Sequence, residues 1–338
     1  MRPSRSVAGL SNLTMPPGFA DVGERLVDRL VRDPDAERRA LIEGLHARPA
    51  SISPKYFYDA LGCALYGAIC ELPEYYPTRT EAAIFARHRL EVAGLIGRGK
   101  QFVDLGAGDC GKAAQWLPYL SPSRYVAVDI AAGELERALA RLAPDFPEIE
   151  IIGVVADFTQ RFDLRDDLGP EPTTFFYPGS SIGNFAPDQA LAMLAAIHGH
   201  AVERPGSGLL IGVDTRKDAR RLTAAYADAL GVTAAFNRNV LHHVNRIVGS
   251  DFQPAHFAHV AFYNEPLSRI EMHLEARGEQ IVNVAGVPRR FASGERIHTE
   301  NSYKYAPAEF EQMLRRAGFV HVMQWTDPAR DFAVFYAT

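Results

Sequence analysis

The stretch Phe102-Val-Asp-Leu-Gly-Ala-Gly-Asp-Cys-Gly-Lys112 concentrates residues that a ligand could use. Gly106 and Gly108 follow an apolar run and precede a helical one. Lacking a Cβ, they let the backbone turn tightly and approach a bound molecule. With Gly111 they complete a formal G-x-G-x-x-G. A dinucleotide, S-adenosylmethionine (SAM) and a ligand-free strand-to-helix turn are all readings of that pattern. Asp104, ahead of the glycines, suits a ligand carrying an ammonium group. It disfavours a pyrophosphate, which seeks helix N-termini away from anions. Val155-Ala-Asp157-Phe158 adds a carboxylate and an aromatic face suited to an adenine amine and ring. Asp129, 23 residues after Gly106, can accept hydrogen bonds from both ribose hydroxyls, which the two cofactors share. Three acids along successive strands form a constellation that favours SAM over NAD.

Other prominent residues carry less. His242-His243 cannot chelate together on a helix, where neighbours diverge by about 100°. Arg79 and Lys217 read as surface charges. Asn237-Arg238-Asn239 reads as a brace for a loop, and Cys110 as an inert buried thiol. The fourth strand of the pattern ends in Phe176-Tyr-Pro-Gly-Ser-Ser-Ile-Gly-Asn184. It lacks the Pro-Pro-aromatic signature of base-amino methyltransferases.

These residues need a frame. From Gln101, short apolar runs alternate with helical ones: Phe102–Leu105, Tyr125–Asp129, Ile151–Val155, Thr174–Pro178 and Gly208–Val213, with helices at Lys112–Leu120, Gly133–Leu142 and Pro187–His200. That rhythm predicts a parallel sheet buried on both faces. After Asp214 it breaks into helices at Asp218–Leu230 and Thr233–Ile247. Strands follow at Ala258–Tyr263, Arg269–Glu275, Gln280–Val284 and Ile297–Tyr303. A helix at Ala308–Ala317 and strands at Val320–Trp325 and Phe332–Tyr336 end the chain. Upstream, Asp21–Ala47, Ala60–Glu71 and Thr80–Leu95 read as helices, with Thr80 as an N-cap. The expected fold class is α/β, a doubly wound domain interrupted by an α+β insertion.

Composition narrows the partners. The chain has 338 residues, 47% hydrophobic and 23% charged, with a net charge of −5. An acidic balance argues against nucleic acid as a partner. No apolar run reaches the roughly 18 residues of a membrane span, and Met1–Ala20 lacks a signal-peptide core, so a tail at 1–20 and a cytoplasmic protein are expected. Three cysteines without CxxC spacing (Cys63, Cys70, Cys110) fit a reducing compartment.

Several distant stretches together resemble one family. They are Ser53-Pro-Lys-Tyr-Phe-Tyr-Asp59, Leu72-Pro-Glu-Tyr-Tyr-Pro-Thr-Arg79, Gly179-Ser-Ser-Ile-Gly-Asn184, Gly231-Val-Thr-Ala-Ala-Phe-Asn-Arg-Asn239, Arg269-Ile-Glu-Met272 and Thr299-Glu-Asn-Ser302. The chain resembles the ergothioneine-pathway histidine Nα-methyltransferases, which trimethylate L-histidine to hercynine. The likeness covers roughly residues 25–338. It implies a Rossmann-like SAM-dependent methyltransferase domain at 80–215 and 304–338, with an α+β substrate-binding domain at 21–79 and 216–303. It also implies that Gly106, Gly108, Lys112, Asp129, Asp157 and Phe158 hold SAM. Tyr58, Tyr75, Asn184 and Tyr226 would surround the amino acid's α-amino and carboxylate groups, Asn184 and Tyr226 taking the carboxylate. Glu300 and Ser302 would read the imidazole, with Met272 lining that pocket. Asp109, Cys110 and Gly111 depart from the hydroxyl residues and glutamate expected in the family's glycine loop.

On a strand, Glu300 and Ser302 share a face, so a carboxylate and a hydroxyl can meet two ring nitrogens. Methyl transfer needs alignment and an unprotonated amine rather than an acid or base in the chain, so no catalytic residue and no metal is expected. The partner is then a small molecule and the protein a monomer. Rival readings are a same-fold enzyme for a tryptophan-derived amine, which Glu300 and Ser302 disfavour, and a non-catalytic cofactor-binding protein.

Overall fold

The computed structural model describes residues 26–30, 33–157 and 162–338. The expected tail at 1–20 and Phe158 lie outside them. The chain enters as strand β1 (Leu26–Asp28), followed by α1 (Pro34–His46), β2 (Ala50–Ser51), α2 (Ala60–Cys70) and the long α3 (Tyr76–Ile96). The alternating segment is β3 (Gln101–Leu105), α4 (Gly111–Ala114), α5 (Leu117–Leu120), β4 (Arg124–Asp129), α6 (Ala132–Leu142), β5 (Glu150–Val155), β6 (Thr173–Tyr177), α7 (Pro187–Val202) and β7 (Gly208–Asp214). Then come α8 (Ala219–Tyr226), α9 (Val232–Val248), β8 (Phe257–Asn264), β9 (Arg269–Ala276), β10 (Gln280–Val284), β11 (Val287–Phe291) and β12 (Arg296–Tyr303). The chain closes with α10 (Pro307–Arg316), β13 (Val322–Thr326) and β14 (Phe332–Ala337).

The large sheet has eight strands in the order β1-β5-β4-β3-β6-β7-β14-β13. It is parallel from β1 to β7, and β14 runs antiparallel between β7 and β13, so that β13 again points with the parallel strands. Strand order reverses at β3, which pairs with β4 on one side and β6 on the other. In a Rossmann-like sheet this switch point opens a crevice at the carboxyl ends of the strands. Apolar clusters cover both faces, one around Trp116, Tyr125 and Phe176, the other around Val126, Phe175 and Ile211. A second sheet, β2-β12-β9-β8, packs with α1, α2, α8 and α9 around its own core, which includes Phe57, Phe236, Leu241 and Leu274.

The structure departs from the local reading in several places. Residues 26–28, expected within a helix, form β1, because Leu26 and Val27 complete the free edge of β5. Thr80 is no N-cap: α3 begins at Tyr76 with Pro77 in its first turn, where a missing N–H costs nothing. The Thr80 hydroxyl donates back to the Tyr76 carbonyl at 2.8 Å. The helix expected at Lys112–Leu120 is broken into α4 and α5, Pro118 being tolerated only near a helix start. Strand β11 was not expected; Ala285-Gly286, both at positive φ, turns β10 into it as a two-residue hairpin. The expected unit boundary at residue 79 falls inside α3, and β1, from the N-terminal unit, pairs in the large sheet.

Candidate active site

The glycine loop sits at the carboxyl end of β3. Gly106 and Gly108 have φ of 74° and 53°, conformations that favour glycine, and the space where a Cβ would stand is open. The Gly108 N–H donates to Asp129 Oδ2 and the Ala131 N–H to Oδ1, both at 2.9 Å. Burial pushes the Asp129 carboxyl upward, partly offset by these backbone hydrogen bonds. Asp157 lies 3.6 Å from the ammonium of Lys55, which reaches over from the Ser53–Asp59 segment. Lys112 is engaged: its Nζ donates to Glu81 Oε2 at 2.7 Å, and Glu81 Oε1 accepts from the Gly179 N–H at 2.7 Å. A buried carboxylate of α3 thus ties the glycine loop to the loop after β6. Asp104 is buried, Oδ2 accepting from the Tyr125 hydroxyl at 2.9 Å, and burial pushes it up to about 7. Cys110 is buried beside it, its thiol pushed up to about 12. The open cradle and the ordered Asp129 fit a nucleoside-bearing ligand.

Next to the loop after β6, a cavity opens between the two sheets. Tyr58, Tyr75, Asn184, Tyr226, Met272, Glu300 and Ser302, all expected from the sequence, line this one cavity. They come from six places along the chain. Tyr58 precedes α2, Tyr75 caps α3, Tyr226 ends α8, Met272 is on β9, and Asn184 ends the 3₁₀ turn Ser181–Asn184. Glu300 and Ser302 share a face of β12 beyond a bulge between His298 and Glu300, which re-aims the strand. Gly183 lets the Asn184 turn rest on β12: a Cβ there would stand 2.8 Å from the Tyr303 carbonyl oxygen. Tyr58–Tyr66, Tyr66–Tyr75 and Tyr75–Tyr226 meet edge to face at 6.0, 6.5 and 6.1 Å. Tyr66 and Phe236, which the sequence reading missed, complete this aromatic wall. Their spacing within α2 and α9 looks like ordinary core.

Electrostatics distinguish the cavity's ends. Glu300 is enclosed and accepts no hydrogen bond from a described residue, so burial pushes it up to about 7, Lys304 opposing. The phenols of Tyr58, Tyr66, Tyr75 and Tyr226 are all pushed upward, burial being the first cause, so none is a base near neutral pH. Behind them lies a charge network that the sequence reading did not find. Asp214 is buried at the end of β7, and both its oxygens accept from the Tyr76 hydroxyl at 2.8 Å. Lys304 and Lys217 flank it at 2.8 and 2.5 Å. Burial alone would raise the Asp214 carboxyl, but these two ammonium groups outweigh it and hold it below its ordinary value. Lys217 is therefore not the surface charge expected; its side chain is 7% exposed. Tyr226, expected at the substrate carboxylate, spends its hydroxyl proton on Ser302 Oγ at 2.8 Å.

Elsewhere, Asn237 and Asn239 act as braces, donating to the His273 carbonyl and to Asp59 Oδ1 at 3.0 and 2.7 Å. His242 is exposed, while His243 Nδ1 lies 2.8 Å from the Tyr56 carbonyl. Among the described residues, ligand atoms of Glu271, His273 and His298 gather within 4.8 Å on the sheet face opposite Glu300. There Glu271 Oε1 already accepts from Arg269 and Asn264.

A histidine N-alpha-methyltransferase of Mycolicibacterium smegmatis is 41% identical over 320 residues, covering 92% of this chain and 98% of that one. Its counterpart from Mycobacterium tuberculosis is 40% identical over 308 residues, covering 89% and 94%. An L-tryptophan methyltransferase of Psilocybe serbica is 28% identical over 334 residues, covering 88% and 91%. Residues 37–338 match the family of histidine-specific, SAM-dependent methyltransferases, and the chain belongs to that family.

Proposed function

We propose that this protein methylates the α-amino group of L-histidine three times, giving hercynine on the route to ergothioneine. The observation that carries the reading is the enclosed Glu300 carboxylate, without a hydrogen-bond donor among the described residues, beside the Ser302 hydroxyl in an aromatic cavity. An imidazole presents two nitrogens to such a pair; an indole presents a single N–H. When bound, SAM supplies an electrophilic sulfonium methyl. The chain's part is to hold the amine in line, roughly 3–3.5 Å from that methyl, and to exclude water. Gly106, Gly108, Asp129 and Asp157 form the cofactor end, with Lys112 bracing it through Glu81. Asn184 and the Gly179–Asn184 loop take the substrate carboxylate. Tyr58, Tyr66 and Tyr75 surround the amine with ring faces, which attract a methylated ammonium without needing a hydrogen bond from it. Their protonated phenols leave the amine's protons to solvent. In this reading the cofactor unit comprises residues 80–215 and 304–338 together with β1.

The protein works as a cytoplasmic monomer on a small molecule, without nucleic acid or membrane. Its net charge of −5 supports this. Among the described residues no helix is long and apolar enough to cross a membrane. The test is mass spectrometry after incubation with SAM and a panel of amino acids. Histidine carrying one, two and three added methyls is the expected result. Methylated tryptophan with untouched histidine would overturn the reading.

A further inference from the structure

Lys304 follows β12 and is wholly enclosed, its side chain 0% exposed. An ammonium has three protons and no lone pair. All three are spent, on Asp214 Oδ2 at 2.8 Å, Ser302 Oγ at 2.8 Å and the Tyr226 hydroxyl at 3.0 Å. The Tyr226 phenol lies 2.8 Å from Ser302 Oγ and, being the stronger acid of the two hydroxyls, donates to it. A serine oxygen has two lone pairs and one proton. With both lone pairs occupied from behind, Ser302 has only its proton to offer the cavity.

We propose that Lys304 is a positioning residue that fixes Ser302 as a hydrogen-bond donor, so that the pocket selects a ring with a bare nitrogen at that point. Resting on the reading of L-histidine as substrate, this means that the neutral imidazole is the bound form. Its N–H faces Glu300 and its unprotonated nitrogen faces Ser302. An imidazolium would set a second N–H against the Ser302 proton, and an indole has no nitrogen acceptor to offer. Burial opposes the Lys304 charge, but Asp214 and Tyr226 outweigh it, so the ammonium persists across the neutral range. The other groups facing this cluster are Lys217 after β7, Tyr76 from α3, Glu300 on β12, and the phenols of Tyr58, Tyr66 and Tyr75. Arg221 and Asp331, paired with each other, lie behind Tyr76.

The test is L-histidine binding by calorimetry between about pH 5 and 8, across the imidazole's own pKa of about 6.5. In the unaltered protein, affinity should fall by more than tenfold per pH unit below that pKa, because the imidazole and Glu300 each shed a proton on binding. Lys304→Met fills the volume without donating, freeing a lone pair on Ser302 for an imidazolium N–H. It should lose the imidazole's share of that slope, about tenfold per pH unit, and keep that of Glu300, while SAM affinity stays within about twofold. An unchanged slope in a variant that binds SAM overturns the proposal. If Lys304→Met does not fold, Tyr226→Phe, which withdraws the other donor to Ser302, carries the same test: a flattened slope supports the proposal and an unchanged one overturns it. Failure of the unaltered protein to bind histidine at any pH, while it binds another amino acid, overturns the substrate reading and the proposal together.

Discussion

Glu300 shows what a specific pocket costs a protein. Its ordinary value is 4.5, and burial pushes it up to about 7. Between those values the folded chain holds a proton that the unfolded chain has lost, so stability falls as pH rises through that window. The shift corresponds to roughly 3 kcal/mol of stability forgone above neutral pH. Glu300→Gln should therefore raise the melting temperature of the ligand-free protein at pH 8 by several degrees. At pH 5, where Glu300 is neutral, it should change little. Glu300→Ala should weaken histidine binding by about 1.5–3 kcal/mol, the value of a charged hydrogen bond, and leave SAM affinity nearly unchanged. Calorimetry on both ligands checks this; equal losses would mark Glu300 as structural.

At the scale of elements, the site depends on how helix ends and turns are anchored. Asp59 caps α2 by accepting from the Gly62 N–H at 2.8 Å, and it also binds Asn239 and Arg246 of α9. Tyr58 immediately precedes that cap. Asp59→Ala should cost about 1–2 kcal/mol in denaturant unfolding and raise the KM for histidine several-fold, with SAM affinity retained. An unchanged KM would mean that Tyr58 is held by its ring contacts alone. The Asn184 turn is anchored by close approach instead. Gly183→Ala must push it off Tyr303, and the cost expected is about 1–3 kcal/mol of stability. A loss of alignment of about 1 Å should lower kcat by up to ~100-fold. Single-turnover kinetics would separate that loss from weakened binding.

Across the whole molecule, the cavity is built by two separate hydrophobic cores. Tyr58, Tyr75 and Met272 belong with the core of the small sheet, whereas the Gly179–Asn184 loop extends from the large one. A ligand that touches both sides binds the two cores together, and binding to the folded state alone raises its stability. Saturating L-histidine should therefore slow amide hydrogen exchange in α2 and α8 and in the Gly179–Asn184 loop at once. Protection confined to one side would place the ligand elsewhere. The buried cluster of Asp214, Lys304, Lys217 and Tyr76 spans the same seam, tying β7 to the end of β12 and the start of α3.

Sequence alone determined what local pattern encodes. Alternating apolar runs and helices specified the parallel sheet, because strands buried on both faces must be continuously apolar. The glycines marked the loop, because their positive φ disfavours a side chain. The spacing of Glu300 and Ser302 put both on one face, because side chains alternate along a strand. The tertiary structure decided what depends on distant partners. β1 is a strand only because β5 offers it an edge. Lys217 and Lys304 are interior residues only because Asp214 offsets the cost of removing two ammonium groups from water. Asp104 carries the acid of a ligand-binding pattern, and the fold sets its Oδ2 against the buried Tyr125 hydroxyl. A lysine or an aspartate has the same identity in solvent and in a core. The fold decides which it becomes, by bringing or withholding the opposite charge.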